Sequence, residues 1–332
     1  ESEAGLESGT IKKVADNLWE KRGKSLVYAG GTMGRTPAAK ELHIAACLIN
    51  AMLGNEGQTI DSSRPSNQLK GSLRDMMQLV EDMKAGKVRT LLVYGTNPEY
   101  SLPGAVEFRD AMAQVDNRFS FSTHLDETAK LCQYVLPGVH FLEMWGDAEP
   151  LAGELSIFQP TIGKLKDWKT RQFEDSLITI AKAAGSTAFD VEIPEEQREE
   201  DGPATRTMTF HDYLMKVWRE DIHEKQNFAT RFQDFWFSTL RQGTLMLPAP
   251  RGAEPRTVNA SAAASALNRA SVPKSSGLEL AVYTMTNTGD GRHANNPWLL
   301  ELPDPVSRVC WDNFVAVAPK TARERKFKNG DM

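Results

Sequence analysis

The chain has 332 residues, with 39 basic side chains against 44 acidic ones and 40% apolar residues. That length suits about two or three domains with real cores, and a net charge of −5 spread through the chain excludes the clustered basic face that nucleic acids require. The longest apolar stretch, residues 42–53, contains His43 and Asn50 and is about half the length that crosses a bilayer, so no membrane span is expected.

Ile11, Val14, Ala15 and Leu18 recur at helical spacing, and Lys21-Arg22-Gly23 closes that helix. Residues 25–29 read as a strand ending in Gly30-Gly31-Thr32-Met33-Gly34, after which Pro37 opens a helix with Leu42, Ala45, Ala46, Ile49 and Leu53 on one face. Strand, glycine turn and helix together can hold a phosphate, because free amides and the helix dipole favour an anion. The glycine spacing is not the dinucleotide fingerprint, however, and the plain reading is a tight turn. Residues 58–60 read as a short strand, and residues 71–85 as a helix whose Met76, Met77 and Met83 are core filler.

The chain is organised around residues 88–147. Thr90-Leu91-Leu92-Val93-Tyr94 is a strand that stops at Gly95-Thr96-Asn97-Pro98, a turn that leaves amides free at the strand's carboxyl end, where open α/β sheets bind ligands. A helix over 103–115 and a strand over 119–123 follow, then Asp126-Glu127-Thr128 and a corner made of His140, Glu143 and Trp145-Gly146-Asp147. The alternation of helices and strands describes a doubly wound, mostly parallel α/β sheet with flanking helices.

Beyond Asp147 come an extended piece near 156–160, a helix marked by Phe173, Leu177, Ile180 and Ala184, and an exposed loop over 187–206. Two amphipathic helices follow, one with Phe210, Leu214 and Trp218, the other with Phe228, Phe235 and Trp236, and their aromatics read as core. Residues 248–277, rich in Ala, Ser and Pro and without periodicity, read as a linker or surface excursion. Residues 278–285 and 314–318 then read as the first strands of a β-barrel. The expected organisation is an α/β domain over 1–247, a linker over 248–277 and the opening of a barrel domain over 278–332, with both ends cut from a longer polypeptide.

Little local chemistry is legible. His124, His140 and Glu143 are weighed as a metal triad or an acid–base set, but no third ligand is spaced to complete a site and corner packing is the better reading. His43 reads as a core histidine. Cys47, Cys132 and Cys310 form no C-x-x-C pair, which leaves no zinc or iron–sulfur spacing in the chain, and Cys47 and Cys132 read as small core residues. No serine sits in a G-x-S-x-G elbow. No catalytic residue and no metal ligand is assigned.

Five features occur in a familiar order: Leu53-Gly54-Asn55-Glu56-Gly57; Tyr94-Gly95-Thr96-Asn97-Pro98; Asp126-Glu127-Thr128-Ala129 with Val135-Leu136-Pro137; Asn296-Pro297-Trp298; and Ala318-Pro319-Lys320-Thr321-Ala322 with Asn329-Gly330-Asp331. Together they resemble the large subunit of the molybdopterin oxidoreductase superfamily across nearly the whole chain. Trp145-Gly146-Asp147-Ala148 and the run from Asn295 to Pro305 with Trp311-Asp312-Asn313 look like one branch, the fused molybdopterin-oxidoreductase-like and iron–sulfur subunit of bacterial alternative complex III.

That resemblance implies an α/β domain followed by a double-psi type β-barrel. It also implies a peripheral subunit on the periplasmic side of the inner membrane, in a complex that oxidises quinol and reduces cytochrome c or a similar acceptor. Its partners there would be a multihaem cytochrome, quinol-binding membrane subunits and an iron–sulfur domain. In this branch the molybdopterin-like half carries no cofactor, and electrons pass through iron–sulfur clusters elsewhere. Gly95, Thr96, Asn97, Asp126, Glu127, Thr128, Gly146, Asp147 and Asn296 are then positions of a vestigial dinucleotide site. Asp147 and Glu154 stand where cofactor-binding members carry a hydroxyl and a guanidinium, which sets carboxylates against phosphates. The alternative is a catalytic subunit with a molybdenum-bis(pyranopterin guanine dinucleotide) cofactor, of the polysulfide or tetrathionate reductase type.

Overall fold

The structure is a computed structural model, and it describes residues 1–332 other than 69–70, 166–167, 199–201, 249–256, 271–276, 292 and 332. Helix α1 (Thr10–Glu20) ends as expected, with Gly23 at φ 72°. Residues 25–29, expected as a strand, join no ladder. A side chain takes the neighbouring strand's place: the Val27 amide donates to Asn50 Oδ1 at 2.9 Å, and Asn50 Nδ2 donates to the Val27 carbonyl at 2.7 Å. Asn50 lies on α2 (Ala39–Met52).

Fully buried Asn55 extends this network, donating from Nδ2 to Asn50 Oδ1 at 2.9 Å while its carbonyl accepts the amides of Gln58, Thr59 and Ile60. Gly54 and Gly57, at φ 64° and 76°, make the turn around it possible. Residues 58–60 are accordingly a turn with a single bridge, from Glu56 to Ile60, and not a strand.

Ser72 caps α3 (Leu73–Lys84), accepting the Asp75 amide at 3.3 Å. Strand β1 (Thr90–Tyr94), helices α4 (Pro98–Ser101) and α5 (Phe108–Ala113), β2 (Asn117–Ser122) and β3 (Tyr134–Pro137) follow. The three strands are parallel in the order β1-β2-β3, with Leu92 opposite Phe119 and Phe121 opposite both Tyr94 and Leu136. Leu91 packs on the core formed by Val80, Met83, Phe108, Met112 and Val115. The single helix expected over 103–115 is broken at Glu107, which sits at φ 55°. Arg118 ties the short α5 down by donating to the carbonyls of Met112, Ala113, Val115 and Leu131.

A second, antiparallel sheet has the order β4-β5-β8, with β4 (Gly146–Leu151) and β5 (Glu154–Phe158) meeting in a hairpin. Arg64 clamps that hairpin by donating to the carbonyls of Ala152 and Leu247 at 3.2 and 2.6 Å. Helix α6 (Phe173–Ala183) lays Phe173 flat on Tyr94, ring centroids 4.2 Å apart, so it partly covers the parallel sheet. Within 187–206, read as a loop, strand β6 (Asp190–Glu192) pairs with β7 (Thr205–Thr207). Helices α7 (Phe210–Val217) and α8 (Phe232–Gln242) and strand β8 (Thr244–Met246) complete a core of Leu155, Ile157, Leu214, Trp218, Phe235 and Trp236, as the aromatic spacing predicts.

The architecture is mixed α/β: one parallel three-stranded sheet with small antiparallel sheets beside it, in place of one long doubly wound sheet. Helix α9 (Ala260–Asn268) stands inside the stretch read as a linker and packs on α2, capped by Asn259 through the Ala262 amide at 3.0 Å. Residues 278–285 and 314–318 form no ladder; Tyr283 and Phe314 bring them together, ring to ring at 6.4 Å. Helices α10 (Pro297–Glu301) and α11 (Pro319–Arg325) follow as short turns.

Candidate functional site

The carboxyl ends of β1 and β2 form the crevice that the sequence points to. Gly95, at φ 63°, lets the chain leave β1 and reach Asn97, the residue before α4. Asn97 Nδ2 donates to Glu127 Oε2 at 2.7 Å, while Asn97 Oδ1 accepts from Thr128 Oγ1 at 2.7 Å and the Thr128 amide at 3.2 Å. Thr128 Oγ1 in turn accepts the Glu99 amide at 3.0 Å, and Thr128 is fully buried. Asp126 Oδ1 accepts the Ala129 amide at 2.8 Å. The Asn97 bond holds the Glu127 carboxyl below the usual carboxylate range.

Gly95, Thr96, Asn97, Asp126, Glu127 and Thr128 are therefore together in two facing turns, and the side chains of Asn97, Asp126, Glu127 and Thr128 are bonded within them. The remaining candidates are elsewhere. Gly146 begins β4, where a Cβ would lie 2.1 Å from the Phe158 ring, so cross-strand packing demands glycine. Asp147 Oδ2 accepts the buried indole of Trp218 at 2.9 Å, and Glu149 accepts the Gly153 amide at 2.7 Å. One oxygen of the Asp147 carboxylate thus ties β4 to the core of the second sheet. Asn296 caps α10 through the amides of Trp298 and Leu299, at 3.1 and 3.4 Å.

Sequence reasoning missed Glu99, Tyr100 and Gly291. Glu99 pairs with Arg109 at 2.6 Å beside the crevice. Gly291, at φ 95°, rests against Tyr100 of α4, where a Cβ would lie 2.2 Å from the ring. The glycine in the polar turn over 289–298 was the available signal, but nothing local names its partner.

The corner histidine behaves as expected. The His140 amide donates to Glu143 Oε1 at 3.1 Å, and Leu165 donates to Glu143 Oε2 at 3.0 Å, so the buried Glu143 closes a turn. His124 is exposed beside Thr123. No cluster able to hold a metal occurs among the described residues. His43 and Cys47, expected in the core, are exposed on α2, whose inward side is set by Ala46 and Asn50. Cys132 is half-buried, which pushes its thiol up.

A guanine dinucleotide needs carboxylate and amide side chains free to meet its base and ribose. Here Asn97, Glu127, Asp147 and Asn296 each have a partner within the chain.

No family model matches the chain. Among characterised proteins, the molybdopterin-binding-like subunit of menaquinone reductase from Nitratidesulfovibrio vulgaris is 36% identical over 106 residues, which are 31% of this chain and 15% of that subunit. Among solved structures, acetylene hydratase from Pelobacter acetylenicus aligns with 53% of this chain and 22% of its own, at 16% identity and a TM-score of 0.35, a likeness too slight to carry an argument. Over that stretch, and in the order of its motifs, the chain is similar to a molybdopterin-binding-like subunit.

Proposed function

We propose that the chain is a structural and interaction domain of a quinone-linked respiratory electron-transfer complex, retained from a molybdopterin oxidoreductase and working without the cofactor. One observation carries the reading: the crevice side chains bond one another, Asn97 to Glu127 and Thr128, and Thr128 to the Glu99 amide. Polar groups bonded to one another in this way hold the two turns together as a scaffold requires. The name of the menaquinone reductase subunit supports the respiratory setting. In this reading the chain sits on the periplasmic side of the inner membrane in a complex of the alternative complex III type. Its partners are a multihaem cytochrome, quinol-binding membrane subunits and an iron–sulfur domain, and electrons bypass it through the clusters.

A second reading, a cofactor-bearing oxidoreductase subunit, is favoured by the crevice's position at the carboxyl ends of parallel strands, where α/β sheets take ligands. Elemental analysis of the purified complex separates the two. Iron without molybdenum or tungsten is the expected result, and stoichiometric molybdenum or tungsten overturns the first reading.

A further inference from the structure

A cleft of about 350 Å³ lies away from the crevice, between α6, β7 and the start of α7. Its walls carry three cations, Lys164, Arg171 and Lys182, against one carboxylate, Asp175, with the hydroxyls of Thr179 and Thr207 between them. Arg171 is fixed in place: one guanidinium nitrogen donates to the Asp175 carbonyl at 3.0 Å and to Thr179 Oγ1. Neither contact neutralises its charge. Lys182 is paired with Asp190, and Asp175 Oδ1 accepts the Phe210 amide at 2.8 Å. Lys164 and Arg171 form no ion pair among the described residues.

We propose that this cleft binds a phosphate-type oxyanion, free or as a small phosphate monoester, held by Lys164 and Arg171 with Thr207 as a further donor. The chemistry follows from the donor set. The Nε–H and Nη1–H groups of Arg171 remain to donate to phosphate oxygens while Nη2 holds the side chain in place, and an ammonium adds a mobile point charge. An uncharged ligand would leave both cations uncompensated. The two carboxylates nearby do not cancel the field, since Asp190 already balances Lys182 and Asp175 is the one carboxylate among the described residues of the wall. The proposal is independent of whether the crevice binds a cofactor.

The test is calorimetric titration of the protein with inorganic phosphate at an ionic strength held constant with chloride. One saturable site is expected. Lys164→Ala and Arg171→Gln should each weaken it about tenfold or more, while Lys12→Ala on α1 leaves it unchanged. Absence of saturation overturns the proposal, as does equal weakening by Lys12→Ala, which marks diffuse screening. Lys164 makes no side-chain bond among the described residues, so Lys164→Ala remains decisive if circular dichroism shows that Arg171→Gln does not fold. Competition by glycerol phosphate identifies the monoester as the ligand, and its failure identifies free phosphate.

Discussion

Thr128 shows how a polar residue becomes structural. Its hydroxyl donates to Asn97 and accepts from Glu99, so one buried atom joins the turn after β1 to the turn after β2. Thr128→Val keeps the volume and orphans the Glu99 amide, at a cost of about 1–3 kcal/mol in chemical denaturation; Thr128→Ser should restore most of it. His211 makes a second prediction, in pH. It stacks on Trp145 at 4.1 Å, its Nε2 is buried without a partner, and burial holds its pKa below 6.5 against the smaller opposing pull of Asp212. The unfolded imidazole takes its proton near 6.5 while the folded one resists. The unfolded state therefore binds more protons in the window just below that pH, and stability falls as pH falls through it. His211→Phe should flatten this decline when midpoints are measured between pH 7 and 5. A decline of equal depth in the variant would assign it to other groups.

The elements divide between those that patterning reveals and those that long-range partners decide. Strands β1 and β2, helices α1, α3, α6, α7 and α8, and the meeting of the Asn97 and Asp126–Thr128 turns are all legible, because each rests on a local run of apolar residues or a turn residue. Residues 25–29 have an equally good strand pattern, yet they pair with a side chain 23 positions away. Nothing in the pattern distinguishes a carboxamide on α2 from a neighbouring strand. Helix α9 was missed for a different reason: its Ala and Ser residues form helix by propensity without making a stripe, and only the Asn259 cap marks its start. The break at Glu107 was invisible because a non-glycine residue at positive φ leaves no compositional trace. Asn50→Ala tests the first case. It removes both bonds to Val27 and the acceptor for Asn55 Nδ2, so hydrogen exchange at the Val27 amide should rise to that of an unprotected amide, with a loss of about 3 kcal/mol or less in global stability. Exchange unchanged from the parent would mean that backbone neighbours, and not Asn50, hold the segment.

Large apolar side chains stand exposed on two of the described elements. Helix α1 buries none of its residues and leaves Ile11, Val14 and Trp19 more than half exposed, while Leu92, Tyr134 and Leu136 are open on one face of the parallel sheet. Apolar side chains grouped in this way mark faces that other polypeptide covers. The chain produced alone should therefore bind a hydrophobic dye strongly and run above monomer size in size-exclusion chromatography, and the dye signal should fall when it is isolated within its complex. A monodisperse, dye-silent monomer would show that its apolar faces close on one another in solution, and that the crevice, the cleft and the three sheets belong to a self-sufficient domain that needs no partner to fold.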